Sequence, residues 1–290
     1  MSWRDAEPLI RFACFAGILL LLALAELAVP RRRLACHRPM RWASNLGIAA
    51  LNVLLIRFVL PMGAVGIAIK AETQGWGLFH SLPFPLWLAT VLAIVILDFV
   101  IYLQHVMFHA VPVFWRLHMV HHADHDFDVS TGLRFHPLEA LLSMGLKCAA
   151  VVLLGAPALA VLLFEAVLSA SSLFSHANAR LPLWLDRVVR FVFVTPDMHR
   201  IHHSTNAEET NSNFGFNFAW WDYLLGTYRA QPRQSHETMP IGLAQFPDER
   251  VERLPDMIAL PFMGEAGDYP INRQLMRDDQ AGENAACGVR

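Results

Sequence analysis

Four long apolar runs dictate what this chain can fold into. Residues 9–29, 46–69 and 84–104 each match or exceed the roughly 20 residues that carry a helix across a bilayer. Residues 141–174 are too long for a single crossing. Gly155, Ala156 and Pro157 interrupt them, so they read as a helical hairpin that either crosses completely or dips in and returns. Composition agrees: 55% of residues are hydrophobic and 17% charged, with a mean hydropathy of +0.37, too apolar for an ordinary soluble globule. The expected fold is an all-α integral membrane protein with four to five transmembrane helices.

Charge sets the orientation. Arg31, Arg32, Arg33, Arg38 and Arg41 follow the first run and belong on the cytoplasmic side, which puts the amino terminus outside. They read as a membrane flank rather than a nucleic-acid patch, and the net charge of −2 names no partner. Ala23 and Ala25 would suit a signal-peptide cleavage site, but the arginines just after the run resist translocation. The second run returns outward with Arg57 inside it, and residues 70–83 form an external loop. The third run comes back to the cytoplasm and carries Asp98, which is expected either to orient a histidine on a neighbouring helix or to make a packing hydrogen bond. Beyond Ser175 charges, asparagines and turns alternate, as in a soluble cap continuous with residues 110–137. Residues 265–290 are polar and are expected to be a poorly ordered tail. The four cysteines, Cys14, Cys36, Cys148 and Cys287, are scattered, without a CxxC, and suggest neither a disulfide framework nor a zinc ribbon.

The histidines are clustered where the third run ends. His105 and His109 share a helix face, and His118, His121 and His122 follow in an HxxHH spacing that can bring all three to one point. The same spacing returns at His199, His202 and His203. Burying eight imidazoles without a ligand or partner would cost several kcal/mol. Eight also exceed the four ligands of one structural zinc, so the economical reading is two metal ions at one cytoplasmic site. A haem-binding electron carrier and a metal transporter are the alternatives, although most of these histidines lie at or beyond the membrane edge rather than along its depth. No HExxH of a zinc protease occurs.

Taken in order, HVMFH at 105–109, HMVHH at 118–122, LRFHPLE at 133–139, HANARLP at 176–182, TPDMHRIHH at 195–203 and WDYLLGTYR at 221–229 resemble the fatty acid hydroxylase and sterol desaturase superfamily of membrane di-iron oxygenases. The resemblance covers residues 84–229 and implies three parts: amino-terminal membrane helices and an external loop over 1–83, a catalytic domain over 84–229, and a partly disordered cytoplasmic extension over 230–290. It implies two irons, held by His105, His109, His118, His121, His122, His199, His202 and His203, with His176 as a ninth ligand. His136 is either a tenth ligand or a residue that supports a ligand or starts the helix. Asn178 is expected to help line the site. His125 is expected to be solvated or to support a ligand, and His37, His80 and His236 to lie on the surface. The implied reaction is oxygen-dependent hydroxylation or desaturation of a lipid, fatty-acyl or sterol-like substrate drawn from the bilayer, with no separate acid or base. The implied setting is the bacterial inner membrane. Val106 stands where family members often carry arginine, so a subfamily's substrate does not transfer. No GxGxxG follows a strand and no CxxCH occurs, so electrons must come from a separate ferredoxin-like or cytochrome-like donor.

Overall fold

The computed structural model describes residues 3–263 and 266–272. Its elements are helical, and among the described residues β-pairing is confined to three isolated bridges. In chain order the helices are α1 (Trp3–Ala28), α2 (Arg38–Val59), α3 (Gly63–Gln74), α4 (Leu86–Ala110), α5 (Pro112–His122), α6 (Pro137–Leu154), α7 (Ala158–Ser175), α8 (Leu183–Val189), α9 (Pro196–His202), α10 (Ala207–Thr210), α11 (Trp220–Leu225) and α12 (Leu254–Ala259).

Among the described residues, five segments are long and apolar enough to cross a membrane: Pro8–Ala28, Arg38–His80, Leu86–Ala110, Pro137–Leu154 and Ala158–Ser175. The hairpin turns where expected, with Gly155 left-handed at the end of α6 and Pro157 capping α7. Gly155 has a second reason to be glycine. Its Cα lies against the backbone of Trp76 and Gly77, and a Cβ on either glycine would sit 2.1–2.5 Å from main-chain atoms. The loop before α4 can therefore close over the hairpin turn only as backbone on backbone.

The second run is not one straight helix. α2 stops at Val59 and α3 restarts at Gly63, because Pro61 has no N–H to donate and forces Leu60 out of the helical region, to φ −128° and ψ 69°. α2 instead begins earlier than expected and has a polar stripe. Arg41, Ser44, Asn45, Ile48 and Asn52 recur at helical spacing and are all buried. That stripe faces the segment between α5 and α6: Asn45 donates to Ser130 Oγ at 3.0 Å and Asn52 to the Phe135 carbonyl at 2.8 Å.

In the membrane layer the core is made largely of small residues. Ala64, Ala68, Ala89, Ala93, Ala158 and Ala160 let α3, α4 and α7 approach closely, as expected where lipid offers no hydrophobic contrast. A second core, around Trp115 and Met119 of α5, is closed by the C-terminal stretch through Leu243, Val251, Met257, Leu260, Ala266 and Tyr269. Trp115 Nε1 donates to the Ala266 carbonyl at 2.8 Å. The expected loose tail therefore starts too early: residues 266–272 are packed because α5 needs an apolar cover, and the remainder, 273–290, lies outside the described residues.

Candidate metal centre

The last two turns of α4 carry His105 and His109, Pro112 starts α5 after a one-residue break, and α5 brings His118, His121 and His122 back over them. His176 caps the C-terminus of α7, and α9 supplies His199 and His202, with His203 as its C-cap. All nine are buried. Their ring nitrogens fall into two groups, each with its donor atoms within 4.8 Å of one another. One holds His105, His109, His118, His122 and His202, and the other His121, His176, His199 and His203.

This partition corrects the expectation that each HxxHH converges on one point. Residues i and i+4 are nearly eclipsed on a helix, whereas i+3 and i+4 differ by about 100°. His118 and His122 therefore face one way and His121 the other. On α9 the pattern repeats, with His199 and His203 in one group and His202 in the other. The groups abut, since the His122 and His203 rings are stacked with centroids 4.5 Å apart.

The hydrogen bonds of the outer nitrogens reveal what the inner ones are for. His105 Nδ1 donates to the Phe214 carbonyl at 2.8 Å, His202 Nδ1 to the Ser212 carbonyl at 2.8 Å and His176 Nδ1 to the Ser172 carbonyl at 2.7 Å. His118 Nδ1 meets Glu139 Oε1 at 2.7 Å, and His109 Nδ1 meets Asn211 Oδ1 at 3.1 Å. With the proton held outside, each Nε2 presents a bare lone pair inward. Yet His105 Nε2 lies 3.2 Å from His118 Nε2, and His176 Nε2 lies 3.1 Å from the Nε2 atoms of both His121 and His199. Two lone pairs at that separation repel unless a cation sits between them, and 3.1–3.2 Å suits two donors on one ion with bonds of about 2.1 Å. His109 Nε2, His202 Nε2 and both nitrogens of His122 and His203 are buried with no hydrogen-bond partner. The donor set fits two metal ions of imidazole preference.

Protonation agrees. Burial, reinforced by neighbouring imidazoles, holds His121, His122, His199, His202 and His203 well below the ordinary histidine range, and burial brings His176 down to about 4 against the pull of the Ser172 carbonyl. These rings are neutral, the ligand form. In metal-free protein the same burial makes acid destabilising. The unfolded chain takes up protons below about pH 6.5 while the folded rings do not, so their contribution is complete above that pH and declines as pH falls toward 4. Each such histidine contributes a slope of about 1.4 kcal/mol per pH unit. Melting the metal-free protein between pH 7.5 and 4.5 should show a flat region and then a steep decline beginning near 6.5. A melting point unchanged down to pH 5 would contradict the neutral, buried assignment.

The other candidate residues lie outside both histidine groups. His136, expected as a tenth ligand or a residue that supports a ligand or starts the helix, is outside both groups. It caps α6 by accepting from Leu138 N–H at 3.2 Å while its Nε2 meets the Ile258 carbonyl at 3.2 Å. Asn178 does not line the centre: it stitches the α1–α2 connection, exchanging hydrogen bonds with the Arg32 backbone at 2.8 and 3.0 Å. Asp98 accepts from Trp221 Nε1 at 2.8 Å and Phe218 N–H at 3.3 Å, a packing role with no histidine involved. His236 is buried beside Asp197, at 3.7 Å, rather than on the surface, whereas His37 and His80 are exposed. His125 is half-buried, with Nε2 2.6 Å from the Phe246 carbonyl. It forms a third cluster with Cys36 and Glu252, but Glu252 is already committed to Arg134 and the His125 N–H.

Glu139 was legible only as part of HPLE. Its carboxylate fixes the His118 ring, and such an orienting partner is worth roughly 10–100-fold in metal affinity. Glu139→Gln should therefore weaken binding of ferrous iron by that factor in a titration of metal-free protein, with the fold retained. Unchanged affinity would remove Glu139 from the centre.

Beside His105 and His118 a cavity of about 300 Å³ runs between α4, α6 and α7, walled by Ile101, Phe108, Phe135 and Phe216. It shares Asn52, Ile56, Leu133 and Met144 with a larger one of about 850 Å³ bounded by α1 and α2. Together they make a largely apolar route from the lipid-facing side of α1 to the first histidine group, with the ion-paired Arg11, Lys147 and Glu165 in its wall.

Comparison with known proteins points the same way. Residues 90–227 match the fatty acid hydroxylase family. An ornithine lipid hydroxylase of Rhizobium tropici is 36% identical over 211 residues, covering 70% of this chain and 60% of the relative. An alkylglycerol monooxygenase of Caenorhabditis elegans is 26% identical over 206 residues, 69% of this chain and 39% of the relative. The human cholesterol 25-hydroxylase is 31% identical over 140 residues, 47% of this chain and 49% of the relative. The chain thus spans less than two thirds of the length of each of these relatives. No solved structure matches it.

Proposed function

Because residues 90–227 place this chain in the fatty acid hydroxylase family, we propose that it is a membrane-bound, oxygen-dependent di-iron hydroxylase of a lipid, fatty-acyl or sterol-like substrate. The observation that carries the reading is the convergence of inward-facing Nε2 lone pairs in two buried groups, one of which borders an apolar cavity reaching toward lipid. Iron bound there would supply dioxygen activation and an oxidant able to break an aliphatic C–H bond. The protein's own part is position and dryness. Outer acceptors lock the rings, Phe108, Phe135 and Phe216 exclude water beside His105 and His118, and the route past α1 and α2 admits an alkyl chain or ring without exposing it to solvent.

Electrons come from a separate donor, ferredoxin-like or cytochrome-like. The site lies on the cytoplasmic face, and the setting is a bacterial inner membrane. In support, the arginines of the positive flank meet the histidine-bearing layer itself: Arg31 pairs with Asp197 and Arg41 with Asp124. A reporter fused after Arg229 that reads as external would overturn this placement. The names of the relatives favour hydroxylation over desaturation. In cells given labelled dioxygen, lipids that depend on this protein should gain one labelled oxygen. A gain of a double bond without label would make it a desaturase, and no change in any lipid would end the enzyme reading.

A further inference from the structure

We propose that residues 183–193, with residues 218–225, form a half-inserted membrane element, whose outer surface is covered by lipid acyl chains, in addition to the five helices. These residues follow the last apolar run and by composition belong to the cap, but their contacts lie below it. Phe218 N–H and Trp221 Nε1 both bind Asp98, and Phe99 packs against Trp221 with ring centroids 4.6 Å apart. Asp98 precedes His105 by seven residues on α4, which puts it about 10 Å deeper into the bilayer than the histidines at 1.5 Å per residue.

Residues 191–194 are tied to that depth. Phe193 bridges to Phe218, Val194 N–H donates to the Asn217 carbonyl at 3.0 Å, Ala219 N–H donates to the Val192 carbonyl at 3.0 Å, and Trp220 Nε1 donates to the Phe191 carbonyl at 3.0 Å. The excursion begins and ends at the membrane surface. Arg180 N–H donates to the Val29 carbonyl at 2.8 Å, just past α1, and Asp197 pairs with Arg31 on the positive flank.

What this element turns outward is apolar. Leu183 is 76% exposed, Trp184 66%, Phe191 69% and Leu224 73%, with Val188 and Leu225 beside them. Six large apolar side chains turned outward on one element are not left in water, and at this depth the adjoining medium is hydrocarbon. Its charged residues fit that setting. Asp186 and Arg190 pair with each other at 2.7 Å on the inner side, and Arg187 can reach the headgroup layer along its flexible stem.

The test places a photoreactive benzophenone side chain at Trp184 or Leu224 of the full chain in phosphatidylethanolamine–phosphatidylglycerol nanodiscs and identifies the adducts by mass. Leu20, exposed on α1, is the lipid-facing control and Arg233 the aqueous one. Lipid adducts at both test positions, at the yield seen at Leu20 and with none at Arg233, are the expected result. Chain-to-chain adducts at Trp184 and Leu224 would show that a second copy covers the patch, and would overturn the proposal. So would loss of lipid adducts there while Leu20 retains them. Loss at Leu20 as well would reject the membrane placement of α1 and this element with it. None of these outcomes depends on bound metal or on catalysis.

Discussion

Replacing His202 by alanine is expected to lower turnover by more than about 100-fold, since deleting a ligand must exceed the 10–100-fold cost of disturbing only its orienting partner. His121→Ala should do the same through the other group. The two variants test the partition as well as the ligands, because His202 belongs to the five-histidine group and His121 to the four-histidine group. Each should lower the bound iron, measured by metal analysis of purified protein, while His37→Ala and His80→Ala, at exposed positions remote from both groups, should leave metal and turnover unchanged. Full activity in His202→Ala, or an active parent carrying one zinc and no iron, would reject the di-iron assignment.

The largest expected effect on stability comes from Arg41. Its guanidinium is fully buried and grips Asp124 with two hydrogen bonds, at 2.7 and 2.8 Å, and Asp128 with a third, at 2.9 Å. Burial alone would raise the Asp124 carboxyl, but Arg41 and Arg134 outweigh it and hold the group below the usual carboxylate range. Arg41→Ala strands two buried carboxylates, an error that typically costs 3–5 kcal/mol, or roughly 10 °C in Tm for a chain of this size. The consequence reaches the metal, because this network anchors the segment that leaves α5 immediately after His121 and His122. Thermal melting in detergent would decide it. A shift of less than about 2 °C would mean that the carboxylates find other partners, whereas Arg41→Lys, which keeps the charge and loses the paired geometry, should fall between parent and alanine.

Much of this molecule is written in local patterns. The lengths of the apolar runs, the break at Gly155–Pro157 and the spacing of the histidines each depend on residues within a few turns of one another, and the corresponding helices form where those patterns lie. Where the reading left alternatives open or went astray, the deciding contact was distant in sequence. His136 has the composition of a ligand, yet it is used by Leu138 and Ile258 because α12 passes beside the start of α6. Asn178 and Asp98 are engaged by Arg32 and Trp221, respectively. Residues 266–272 look polar in isolation and are packed because Trp115 requires a cover.

By itself, then, the sequence determined the class of fold, the apolar runs long enough to cross a membrane and the imidazoles available to metal, since hydrophobic length and helical periodicity act along the chain. Only the tertiary structure decided which histidine joins which group. Helical spacing establishes that His121 and His122 diverge by about 100°, but the partners waiting on each side, His176 and His203 against His109 and His202, come from helices brought together by packing. The same holds for the protons. Backbone carbonyls of Phe214, Ser212 and Ser172, along with Glu139, hold the outer nitrogens and leave the inner lone pairs bare, an arrangement that exists only once the chain has closed around the site.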